Sequence, residues 1–166
     1  IEELRGSIEL HYKEGGVVKH DKDMLDSILD LEETEVSNIM THRKNMIMVN
    51  ASDSNEQILE HISKSPYSRI PMWKGEKDNI VGVLHVKDVL KTTIYSTKNI
   101  NDIDFLKIAT DPWFIPESTT LREQLFAFKE KRHHFAIVVD EYGSVMGVIT
   151  LEDILEEIVG DIKDEH

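Results

Sequence analysis

Cysteine is absent from this chain of 166 residues. No disulfide framework can staple it, and no thiolate is available as a metal ligand or nucleophile. Basic residues are scarce beside acidic ones: 19 Lys and Arg stand against 32 Asp and Glu, a formal charge of −13. Repulsion on that scale excludes non-specific binding to nucleic acid or to an anionic lipid surface. Long apolar runs are missing as well. Nothing approaches the roughly 20 residues that span a bilayer, and no signal peptide opens the chain, so a soluble polypeptide is expected. The chain begins at Ile1 and stops at Asp164-Glu165-His166 with no closing turn, so it reads as a piece of something longer.

What is present suffices for a core. With 40% hydrophobic residues, the chain can bury one sizeable core or two small cores packed together. Ile1, Leu4, Ile8 and Tyr12 recur at helical spacing up to Gly15-Gly16, and Met24, Leu25, Ile28, Leu29 and Leu31 form a second stripe. A helical segment over 1–35 is expected, its stripe packing on the rest of the chain.

From Val36 a repeat begins. An offset of about 66 residues carries Val49 onto Ile115, Leu59 onto Leu125, Ile62 onto Phe128 and Met72 onto Val138, and closes by one residue at Gly82 and Gly147. Each copy reads as a short strand (Met46 to Val49; Trp113 to Ile115), a helix, two strands and a second helix. The first helix is expected to start at Asp53 with Glu56, and its counterpart at Thr119 or Thr120 with Glu123. The paired strands are Arg69 to Trp73 with Ile80 to Leu84, and Phe135 to Val139 with Val145 to Ile149. Lys91 to Lys107 reads as a polar linker. The fold class is thus α/β (α+β), two β-α-β-β-α units preceded by a short helical segment. The boundaries are 1–35, 36–91, a linker over 92–107, 108–160, and a C-terminal start over 161–166. Each unit is too small to stand alone and should bury its open sheet face on the other.

Both units end in Gly-x-x-Thr/His-x-x-Asp: Gly147, Thr150 and Asp153, and Gly82, His85 and Asp88. Glycine inside a strand marks close approach by another group. Thr150 can cap the following helix and leave Asp153 in its first turn. A carboxylate there can accept both hydroxyl protons of a ribose diol, and the helix start offers amide N–H groups to a phosphate. The same spacing is also an ordinary helix start; its recurrence is what singles it out.

Two such units resemble a tandem pair of CBS domains, a Bateman module, over about Val36 to Gly160. VSNIMTHRKNM, YSRIPMW, DNIVGVLHVKDVL and HHFAIVVDEYGSVMGVITLEDILEEIVGD resemble the CorC/HlyC group, the haemolysin-like proteins associated with magnesium and cobalt efflux, and their CNNM relatives. The resemblance implies a pseudo-twofold between the units and an adenine-nucleotide site that joins the Thr-x-x-Asp of one unit to strand residues of the other. Thr150 and Asp153 would hold ribose, and Thr41, Met46 and Ile47 would flank adenine. Tyr67, Ser68, Ile70 and Pro71 would complete the pocket beside Arg69, whose guanidinium fork suits phosphate. At the twin position the ring of His85 replaces a small hydroxyl, so one working site is expected.

ATP brings about four negative charges into an acidic chain, so AMP or Mg-ATP is expected over free ATP. The resemblance also implies a homodimer, and a membrane transport domain missing from this chain that would place it on the cytoplasmic side of the membrane. With no Walker loop, no nucleophile beside a base and no tight His/carboxylate metal set, an enzyme is not expected. His20, Asp21, Asp23 and Asp26 lack EF-hand spacing and read as a solvated helix start. His133 and His134 suit a helix C-terminus. Glu152, Asp153, Glu156 and Glu157 read as an acidic surface, and Trp73 and Trp113 as packing residues.

Overall fold

The structure is a computed structural model describing residues 1–16, 18–96 and 99–160. The expected C-terminal start over 161–166 and two residues of the expected linker lie outside the described residues. Among the described residues no helix is long and apolar enough to cross a membrane.

Helices α1 (Glu2–Lys13) and α2 (Lys19–Asp30) precede the repeat. Gly15, at φ +82°, helps the chain leave α1 at little cost. Arg5 reaches Asp30 at 2.6 Å and Lys22 reaches Glu9 at 3.1 Å, which holds the two helices together. Exposed ion pairs of this kind are worth at most about 1 kcal/mol each. Burial of Leu31 beside Val36 and Ile154 is the stronger anchor. The expected stripe is only partly used, because Leu25 and Ile28 remain exposed.

The first unit comprises β2 (Val49–Asn50), α3 (Asn55–Lys64), β3 (Arg69–Lys74), β4 (Glu76–His85) and α4 (Val86–Tyr95). The second comprises β5 (Phe114–Pro116), α6 (Leu121–Lys131), β6 (Phe135–Val139), β7 (Val145–Thr150) and α7 (Leu151–Val159). In each, the first strand lies parallel to the second and the second antiparallel to the third. The repeat deduced from spacing is therefore a repeat of structure.

Several boundaries differ from expectation, among them β5, which starts after Trp113, and β4, which starts at Glu76. Met46 and Ile47 precede the first strand rather than belonging to it. The cap of α3 is Ser54, whose side chain accepts from Gln57 N while Gln57 Oε1 accepts from Ser54 N, so Asp53 lies one residue outside it. The stretch expected as a polar linker is largely built into the first unit. It holds the end of α4, a 3₁₀ turn at Ile100–Asp102 and α5 (Phe105–Ile108). Ile103 and Phe105 are buried in the first unit's core, and Asn55 Nδ2 donates to the carbonyls of Ile100 and Ile103 at 2.7 Å. Polar composition concealed two anchor residues.

The units exchange backbone. Strand β1 (Thr41–His42), which precedes the first unit, pairs antiparallel with β7 and extends the second sheet to the order β1-β7-β6-β5. Thr110, which precedes the second unit, bridges back to Val83 with N–H to C=O bonds of 2.9 Å in both directions. The two repeated glycines lie where these segments cross. A Cβ on Gly147 would meet Met40 Sδ at 2.8 Å as well as the Thr41 carbonyl, and one on Gly82 would meet Ala109 Cβ at 2.8 Å. That is the close approach anticipated from glycine within a strand. Between the sheets, Ile80 and Val83 pack with Ile137 and Val145. Arg43 Nη1 and Val145 N both donate to Asp78 Oδ1, at 2.6 and 3.0 Å, across the same seam.

Candidate functional site

Strand β7 delivers the Thr-x-x-Asp motif. Its alternation buries Val145, Gly147 and Ile149 and turns Met146, Val148 and Thr150 to the other face. At the end of the strand Thr150 Oγ1 accepts from Asp153 N at 3.1 Å and Asp153 Oδ2 accepts from Thr150 N at 2.9 Å. This reciprocal box satisfies two backbone donors at the start of α7. The motif is thus a helix start, as its spacing suggested, and one carboxylate oxygen of Asp153 is committed to it.

Beside the motif lies a cavity of about 330 Å³, within the range of small-molecule sites. Thr150 and Asp153 form one wall. Thr41, Met46 and Ile47, held there by the pairing of β1 with β7, form the second. Tyr67, Ser68, Arg69 and Pro71, at the start of β3, form the third. Nine of the ten residues expected around one site therefore meet in one cavity. Ile70 does not: its side chain is fully buried in the first unit's core. Strand alternation sends it to the opposite face from Arg69 and Pro71.

Pro66, Phe135, Val148 and Glu152 also line the cavity and were not anticipated. Two of them were within reach of sequence reasoning. Val148 precedes Thr150 by two residues and shares its strand face, and Phe135 stands opposite Thr150 once β6 and β7 are paired. Glu152, expected as plain surface, borders the cavity and lies 3.6 Å from His134 Nδ1.

The cavity is amphipathic. Met46, Ile47, Pro71, Phe135 and Val148 supply apolar surface for a flat ring, while Thr150 and Asp153 present hydroxyl and carboxylate oxygens. Arg69 is its only Lys or Arg, and it forms no ion pair among the described residues. Such a constellation can hold a base, a diol and an anion together.

The twin motif is built differently. His85 occupies the N-cap of α4 without a side-chain cap hydrogen bond. Burial, and then the nearby Arg69 charge, hold its imidazole below the ordinary histidine pKa; Asp88 opposes this and His133 adds to it. Trp113 packs edge-on against Phe128 at 5.5 Å and Trp73 joins the core between the sheets, as packing residues should. No group of three or more His, Asp or Glu among the described residues could hold a metal ion.

The CBS domain family description matches residues 36–94 and, again, residues 100–160. The chain is a tandem CBS-domain pair. This CBS pair is 37% identical over 144 residues to the magnesium and cobalt efflux protein CorC of Pasteurella multocida, covering 87% of this chain and 47% of that protein. It is 37% identical over 146 residues to Hemolysin C of Brachyspira hyodysenteriae, covering 88% and 52%. The CBS pair thus spans about half the length of these two relatives.

Solved structures agree on the fold. The CBS domain of a bacterial CNNM/CorC family Mg²⁺ transporter superposes with a TM-score of 0.89 at 35% identity, covering 97% of this chain and 96% of that one. A CBS domain of that transporter family in complex with ATP gives 0.78 at 38% identity, covering 85% and 98%. A CBS-domain pair with bound AMP from Klebsiella pneumoniae gives 0.70 at 32% identity, covering 76% and 99%.

Proposed function

We propose that the chain is the regulatory, adenine-nucleotide-binding module of a membrane-associated magnesium/cobalt efflux protein of the CorC/HlyC type. The observation that carries this reading is the convergence of nine anticipated residues from both units on one cavity, with a carboxylate at Asp153 and, at Arg69, a guanidinium that has no ion pair among the described residues. The ATP- and AMP-bound neighbours support the ligand class, and the relatives' names support the efflux context. Its role is binding rather than catalysis: adenine lies against Met46 and Ile47, ribose on Thr150 and Asp153, phosphate at Arg69. With no metal-holding group among the described residues, Mg²⁺ would arrive with the nucleotide. The transport domain belongs to the remainder of the full-length protein, which would hold this module on the cytoplasmic side of the membrane. Calorimetric titration with ATP, AMP and S-adenosylmethionine, each with and without Mg²⁺, tests the reading. Binding of an adenine nucleotide supports it, and heat from none of the three overturns it. The rival reading, a stand-alone sensor of AMP, ATP or S-adenosylmethionine, would be favoured by a full-length sequence in which no apolar spans of about 20 residues precede Ile1.

The module is further proposed to act as a homodimer. Leu90 and Ile94 on α4 are exposed, as are Leu155 and Val159 on α7, which stand 65 residues further along the repeat. Phe126 on α6 adds to this surface. Burying such residues against a second copy would remove apolar area from water at about 25 cal/mol per Å². Sedimentation showing only monomer at about 100 μM, with and without nucleotide, would sink the dimer.

A further inference from the structure

The repeat inverts its charge at the position of the twin site. With the 65-residue offset of the two glycines, His85 corresponds to Thr150, Lys87 to Glu152 and Lys91 to Glu156. The two positions within the helices are acidic on α7 and basic on α4.

The cationic side is a groove. A cavity of about 670 Å³ runs along α4; Arg69, His85, Lys87 and Lys91 border it beside the apolar Val86, Leu90 and Ile94, and no carboxylate is in its lining. Ser68 and Arg69 border both this groove and the cavity at Thr150. Arg69 stands opposite His85 in the β3–β4 ladder, so its side chain sits at the doorway between the two spaces. The cavity itself carries Glu152 and Asp153 against the single cation Arg69. It can accommodate one phosphate group at that doorway, but two or three would have no further counter-charge within it.

Lys87 and Lys91 lie one helical turn apart, about 6 Å along the axis, and neither is paired with a carboxylate among the described residues. Like charges at this spacing weaken a helix, and no ion pair among the described residues offsets that. An anion lying along the groove would.

Resting on the nucleotide reading above, we propose that the His85 half of the repeat is not a second ribose site but the polyphosphate arm of the first. The base and ribose occupy the Thr150–Asp153 cavity, the chain of phosphates passes Arg69, and its outer phosphates rest on Lys87 and Lys91. These two lysines make the module discriminate a nucleoside triphosphate from a monophosphate. The chain's net acidity does not oppose this, because the charge that meets the outer phosphates is local and positive.

The test is equilibrium binding of ATP and of AMP, in EDTA so that Mg²⁺ cannot stand in for the lysines. Wild-type protein is compared with Lys87→Gln/Lys91→Gln and with Lys87→Glu/Lys91→Glu, the residues of the α7 positions. Both side chains are exposed, so thermal melts should stay at or slightly above wild type. ATP affinity should fall at least about tenfold in the Gln pair and further in the Glu pair, as expected for lost charge-assisted bonds. AMP affinity should change less than about twofold, its single phosphate being met at Arg69. Equal losses for both nucleotides, or no loss for ATP, overturn the polyphosphate arm while leaving the nucleotide site standing. Wild-type protein that binds neither nucleotide, in EDTA or with Mg²⁺, overturns both readings together.

Discussion

Replacing Asp153 separates the two tasks that its carboxylate performs. Oδ2 accepts from Thr150 N at 2.9 Å and closes the box that starts α7. Asp153 borders the cavity, and its other oxygen has no hydrogen bond among the described residues. Asp153→Ala removes a cap contact worth about 0.5–2 kcal/mol and a favourable helix-dipole charge of about 0.3–1 kcal/mol. At roughly 2–4 °C per kcal/mol, the melting temperature should fall by about 2–12 °C. It also removes charge-assisted hydrogen bonds to ribose, worth about 1.5–3 kcal/mol each, so nucleotide affinity should fall at least ~10-fold. Asp153→Asn keeps an oxygen for Thr150 N but loses the charge: stability should largely return while affinity stays low. Asp88→Ala, outside the cavity, should shift affinity by less than about threefold on the proposal that the twin motif holds no ribose. Calorimetry and thermal melts on the three variants decide it. Equal affinity losses at Asp153 and Asp88 would show two working ribose sites and refute the asymmetry. Full affinity in a folded Asp153→Ala would reduce the motif to a helix cap.

Gly147→Ala would place a methyl against Met40 Sδ and the Thr41 carbonyl, forcing β1 from β7; overpacking of this kind costs about 1–3 kcal/mol. Both the melting temperature and nucleotide affinity should drop, because the displaced strand carries the Thr41 wall, and an unchanged melt would contradict the crossing. Burial first, and then Arg69, lower the His85 pKa from 6.5, so below that value the unfolded chain takes the proton more readily than the folded one. This part of the stability is fully present above about pH 6.5 and is lost as pH falls through the lower folded value. His85→Gln should therefore lose less stability than wild type between neutral pH and about pH 5, and denaturant titrations with parallel pH profiles would disprove it.

The fold was legible because its periodicity is duplicated. Matching apolar positions 66 residues apart, such as Ile62 and Phe128, lie at buried positions of corresponding helices, and the glycines at 82 and 147 correctly announced close approach. Short extended segments were less legible. Thr41–His42 carries no alternation of its own, and its strand exists only because β7 offers an edge. Ile103 and Phe105 were hidden in polar surroundings, where two anchors are too few to set a period. At the site, the motif pointed to Thr150 and Asp153, and the remaining cavity residues came through family resemblance rather than physical inference. Ile70 shows the difference: strand alternation alone should have removed it once Arg69 and Pro71 were placed on the cavity side.

The strand exchange explains why one ligand could report on the arrangement of the whole pair. Neither unit encloses the cavity alone: Thr150 and Asp153 belong to the second, Arg69 to the first, and Thr41 to a segment that precedes the first and joins the second's sheet. Any ligand held by all three therefore binds one relative placement of the units better than another, which is the condition for shifting a conformational equilibrium. At 100 times its Kd a ligand that recognises only one placement biases it by about 2.7 kcal/mol. The seam that resists such a bias holds four buried aliphatic residues, the bridge from Arg43 through Asp78 to Val145, and the backbone pairing of β1 with β7 and of Thr110 with Val83. Since α7 carries the motif and also helps bury Leu31, a shift at the cavity has a direct mechanical route to α2.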